Sequence, residues 1–157
     1  MHELPNLGSE DLAMDASEVE AVLARAGWTD HRSVPIDDDV SALSNEGYSV
    51  WPDLAEFIAS FSGLILELRR HEALDTAWIA PKRAVAESFK AWVDDYSRRL
   101  SLEMVPIGRA YSDHLLVMAA NDGCFYAAFD DELFRIGCSS REMVGVLVTG
   151  DGFEELG

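Results

Sequence analysis

The residue types that most often carry chemistry are present here but scattered. His2, His31, His71 and His114 include no i,i+4 pair and no HExxH, so they offer no zinc site. Cys124 and Cys138 form no metal or redox spacing and read as separate, ordinary thiols of a reducing compartment. Cys124 falls in a strand of an expected hairpin, where it reads as a small core residue; a thiolate nucleophile is the sharper alternative. No GxSxG, GxxxxGK[ST] or GxGxxG occurs. Carboxylates are plentiful, but a catalytic pair needs a cleft that sets two pKa values apart. The expectation is a protein with no catalytic residue, no cofactor and no metal.

The carboxylates speak instead through their sum. Twelve Lys and Arg stand against 29 Asp and Glu, a formal charge of -17 in 157 residues. Such a field repels nucleic acid and anionic membrane surfaces and attracts cationic partners. Acidity also serves solubility alone, the plainer reading. The first residues, MHELPNLGSEDLAMD, hold neither a basic start nor an apolar run, and no window is long and apolar enough to span a membrane. These points lead us to expect a cytoplasmic protein.

The elements that must position any site centre on Trp51–Arg69. Pro52 pre-sets a first helical turn, and Leu54, Phe57, Ile58 and Phe61 recur on one helical face. Gly63 ends that helix, and the period then drops to two, with Leu64, Leu66 and Leu68 on one side of a strand. Upstream, residues 1–16 read as an acidic arm. Ser17 and Glu20 form a capping box for a helix carrying Val19, Val22, Leu23 and Ala26, stopped by Gly27. Trp28, just past its end, reads as an anchor to the core. Asp37, Asp38 and Asp39 suit the start of a short helix, where carboxylates meet the positive end of the dipole.

Downstream, His71–Asp75 reads as a turn and Thr76–Ala80 as the return strand of a hairpin. Pro81 then opens one long helix to Leu100, with Val85, Phe89, Trp92, Val93, Tyr96 and Leu100 as its core face. A strand follows at Met104–Ile107, where Pro106 implies an edge or a bulge. Two strands flank the Asn121-Asp122-Gly123 turn, and Leu133–Ile136 adds another. Ser139 and Glu142 cap a last helix closed by Gly150, leaving residues 151–157 as a flexible tail. Helices mix with hairpin strands and no βαβα alternation occurs. That predicts an α+β domain over residues 17–150 with a largely antiparallel sheet.

Several of these motifs fall in one family's order: AGW at 26–28, EGY at 46–48, FIASFSGL at 57–64, VPIG at 105–108, NDGCFY at 121–126, FRIG at 134–137 and the closing TG at 149–150. The chain resembles the SUKH superfamily, specifically its third immunity-protein subgroup, over about residues 17–150. Ser62 stands where the family pattern has glycine, so the resemblance leaves that turn unspecified. The resemblance implies a single α+β domain with a central, bent, mainly antiparallel sheet flanked by helices. It also implies a bacterial immunity protein that binds a cognate polymorphic toxin domain, a nuclease or nucleic-acid deaminase, and blocks it without catalysis. Gly27, Trp28, Gly63, Leu64, Pro106, Gly108, Tyr126 and Gly137 match its pattern, and all read as structural.

A nuclease grips phosphate with a groove lined by Lys and Arg, which an acidic protein can fill. The expected inhibitory surface mixes carboxylates with exposed aromatics. Its candidates are Asp37, Asp38, Asp39, Trp51, Asp53, Glu72, Asp130, Asp131 and Glu132; each also has a plain reading as solvated loop or helix start. The expected partner is a basic toxin domain, with no nucleic acid and no membrane, and the chain itself a monomer or weak homodimer. Two rivals are a regulatory interaction module without a toxin, and a ligand-binding or enzymatic domain with a pocket between the sheet and the Pro81–Leu100 helix.

Overall fold

The computed structural model describes residues 17–70 and 73–157. The acidic arm at 1–16, with His2, lies outside the described residues, as do His71 and Glu72. The first helix, α1, covers 17–26 and buries Val19, Val22 and Leu23. Gly27 ends it at φ +95°. Trp28 anchors as expected, donating its Nε1–H to Ser60 Oγ at 2.9 Å and lying 5.7 Å from the Phe61 ring.

The three aspartates open α2, Asp37–Asn45. The central unit then forms as read: α3, Pro52–Phe61, passes through Gly63 at φ +91° into β1, Leu64–Arg70. Leu64, Leu66 and Leu68 are buried while Ile65 and Glu67 are exposed. Ser62 takes extended backbone, φ -63° and ψ 135°, so no glycine is needed there. Strand β2, Ala73–Ile79, pairs with β1 throughout, so residues 73–75 belong to the strand and not to the turn.

The expected long helix is two helices. α4, Pro81–Ala86, and α5, Lys90–Leu100, are separated by Glu87–Phe89. The break is held from outside the segment. Arg109 donates to the Glu87 carbonyl at 2.7 Å, occupying the oxygen that a continuous helix would offer to the backbone N–H of residue 91. Ser88 Oγ also turns back onto the Ala84 carbonyl at 2.5 Å. The expected apolar stripe splits accordingly. Val93 and Tyr96 are buried, whereas Phe89 and Trp92 are exposed.

The last third supplies β3 (Met104–Ala110), β4 (Leu115–Ala120), β5 (Phe125–Phe129), β6 (Glu132–Gly137), α6 (Ser140–Thr149) and β7 (Glu154–Leu156). Ser139 Oγ accepts from Glu142 N–H and the Glu142 carboxylate accepts from Cys138 N–H, closing the start of α6. The tail is not frayed throughout: β7 pairs with β6, and Arg135 grips Glu154 at 2.7 Å. The sheet is a seven-stranded antiparallel meander in chain order.

It is strongly bent. α6 packs against both β6 and β1, which stand five steps apart in strand order. A flat sheet would separate them by about 24 Å, more than twice the ~10 Å width of a helix. The bend has a local device in β3, where the register slips between Pro106 and Gly108. β3 is an inner strand, so Pro106 marks a bulge and not an edge. A Cβ at Gly108 would lie 2.1 Å from the Trp78 carbonyl oxygen, so only glycine fits.

The cysteines are not separate thiols. Cys124 and Cys138 are joined in a disulfide. They are 14 positions apart in sequence, but the register pairs Phe125 with Gly137, which brings the residues just outside that pair face to face. Neither is a nucleophile in this state.

Candidate interaction surface

The corner between α4 and α5 stands over one face of the sheet. Phe89 is 77% exposed and Trp92 50% exposed, and Phe129, at the end of β5, is 41% exposed. Phe89 and Trp92 rim a hollow of about 190 Å³, floored by Leu116 and Ala128 and walled by Tyr96, Arg109 and His114. The His114 ring, which walls this hollow, also lies 6.4 Å from that of Phe129. On the other flank of Trp92 is a second hollow of about 400 Å³, bounded by Asp95, Tyr96, Arg98, Asp130 and Asp131.

This face is braced from behind. Tyr96 donates its hydroxyl to the Asp130 carbonyl, and Arg99 donates to the Asp131 carbonyl at 2.9 Å, so α5 holds the β5–β6 turn by its backbone. Burial pushes the Tyr96 phenol above its ordinary pKa; Arg99 opposes this and Asp130, Asp95 and Asp131 add to it. The phenol therefore stays protonated and keeps donating. Asp130 sits at φ +55°, and Tyr111, Ser112 and Asp113 form a run of three left-handed non-glycine residues. Strained backbone of this kind survives only where its surroundings fix it. Here Asp75 accepts the Ser112 N–H, Trp78 Nε1–H donates to Asp113 at 2.7 Å, and Arg109 donates to the Asp113 carbonyl at 2.9 Å.

The carboxylates named from sequence do not form one patch. Asp130, Asp131 and Glu132 are exposed together on the β5–β6 turn, beside Trp92. Asp37 and Asp38 are exposed at the start of α2, and Asp53 at the start of α3. Asp39 is turned inward, 8% exposed; it accepts from Ser62 Oγ at 2.6 Å and from Lys82 N–H at 3.0 Å, so it joins elements and faces no partner. Trp51 is half-buried against the core. Among the described residues, no hydrogen bond or ion pair joins the α2 and α3 carboxylates to the β5–β6 turn. Sequence reasoning missed Phe89 and Trp92, whose helical spacing reads as core.

A wider depression of about 660 Å³ lies elsewhere, between α1, α6 and the β6–β7 edge. Its charged groups already serve the fold: Arg135 pairs with Glu154, Arg141 with Glu20, and Glu142 caps α6. Among the described residues no group of three or more His, Cys, Asp or Glu could hold a metal ion, and no helix is long and apolar enough to cross a membrane.

Residues 16–150 match the family model of the SUKH-3 immunity proteins. The chain belongs to that family. No curated protein and no solved structure matches it. The open, bent antiparallel sheet with its flanking helices is then the SUKH-3 architecture of this chain. Gly27, Gly63 and Gly137 have positive φ, Pro106 and Gly108 flank the bulge, Leu64 lies in the core, and Tyr126 donates to Asp122 at 2.6 Å.

Proposed function

We propose that this SUKH-3 protein is a non-enzymatic antidote that binds the toxin domain encoded with it, inside the producing cell, and covers the toxin's working surface. Membership of the immunity family carries the reading. The charge of -17 gives it chemical direction. A toxin that acts on nucleic acid, as a nuclease or a deaminase, offers a basic groove for phosphate, and an acidic protein is steered to such a groove and competes with its substrate.

Co-expression with the toxin domain of the adjacent reading frame is the direct test. The toxin alone is expected to arrest growth and act on nucleic acid, and the pair to grow and co-purify. Continued arrest in the presence of folded protein would overturn the reading.

A further inference from the structure

Resting on the immunity reading, we propose that the aromatic corner at Phe89 and Trp92 is the toxin-docking surface, and that its occupant is a basic protein segment with an apolar residue beside a Lys or Arg. The apolar residue covers Trp92 and Phe89. The cation enters the hollow on the side of Asp130 and Asp131, the other side being lined by the Asp95–Arg98 pair.

Three observations converge on this corner. First, of the five large apolar side chains exposed among the described residues, Phe89 and Trp92 rim the same hollow, whereas Ile65 and Leu74 lie on the β1–β2 hairpin and Phe129 follows Ala128 at the end of β5. Clustered exposed aromatics mark interaction sites, and Trp is the commonest anchor of an interface. Second, the corner is built to stay in place. The fold holds the helix break through Arg109 and the turn through Tyr96 and Arg99, so binding costs little ordering there. Third, part of the charge beside Trp92 is unpaired. Arg98 pairs with Asp95 at 3.1 Å, while the Asp130 and Asp131 carboxylates enter no ion pair among the described residues.

The same charge decides against other occupants. Nucleic acid and anionic lipid would meet like charge. A second copy of this chain, with its formal charge of -17, would bring the same surplus of carboxylates and not the complementary charge.

The test measures affinity for the adjacent toxin domain by calorimetry, with helical content and melting temperature checked for every variant. Trp92→Ala is expected to weaken binding about 30-fold or more, the loss typical of an interface anchor. Asp130→Asn with Asp131→Asn is expected to weaken binding and flatten the dependence of affinity on salt. Asp37→Asn with Asp38→Asn should stay within about threefold of wild type. Wild-type binding with a folded Trp92→Ala protein equally tight would overturn the docking surface and leave the immunity reading standing. Wild-type protein that neither binds nor neutralises the toxin overturns the immunity reading itself. A dimer in sedimentation that Trp92→Ala dissolves would place a second copy on the corner and also overturn the proposal.

Discussion

At Asp39 helical geometry turns a carboxylate inward, one position on from two that face solvent. Its oxygens accept the Ser62 hydroxyl and the Lys82 N–H, tying the start of α2 to the end of α3 and the start of α4. Asp39→Ala leaves both donors without their acceptor in a half-buried place and is expected to cost about 2–3 kcal/mol, read as a lower urea midpoint. Asp38→Asn, one residue away and exposed, should leave that midpoint where it is. The Tyr126 phenol is pushed up to about 12 from its ordinary 10. Burial is the first cause, then the hydrogen bond to Asp122 and the charge of that carboxylate, with Arg135 opposing. A folded pKa above the unfolded one means the unfolded chain loses its proton first. The contribution to stability is therefore whole below pH 10 and is lost as pH rises through about 12. Asp122→Asn should bring one tyrosine's ionisation back toward 10, followed by phenolate absorbance across an alkaline titration.

Among the elements, β3 controls the shape. Its bulge at Pro106–Gly108 bends an inner strand, and Gly108 sits against the Trp78 backbone where β3 meets β2. Gly108→Ala must push those strands apart; we expect a loss of about 3 kcal/mol in chemical unfolding, or failure to accumulate as folded protein. Gly123→Ala, with nothing near its Cβ position but a φ of +87°, is the control for glycine's backbone freedom alone. Most elements were legible in the sequence because their signals are local: Gly63 after an apolar face, Asn121-Asp122-Gly123 between two strands, Ser139 with Glu142. The break before α5 was not, because the group holding it open is Arg109, 22 positions from Glu87. Helical spacing counted Phe89 and Trp92 into a core that a straight helix would have reached. The disulfide was hidden for the same kind of reason, since it depends on the β5–β6 register and not on spacing. As for the candidate surface, reading charge beside aromatics named Asp130, Asp131 and Glu132 among several carboxylates, with Trp51 as the aromatic. The aromatic that lines a hollow with Asp130 and Asp131 is Trp92, from another part of the chain, while Trp51 is half-buried against the core.

At the scale of the whole molecule, the meander puts every strand beside its neighbours in the chain, and α6 closes the structure by reaching from β6 back to β1. The acidic surplus is spread over this frame, while the exposed aromatics Phe89 and Trp92 stand together at one corner of it. The disulfide has a further effect on that corner. Cys124 and Cys138 make residues 124–138 a covalent ring, with the β5–β6 turn at its far end. A protease attacking the most exposed backbone there would sever the chain without releasing either piece. The nicked protein should run as one band on a denaturing gel until a thiol is added, and then as two. A carboxylate-bearing turn built this way can be cut and still remain attached to both of its strands.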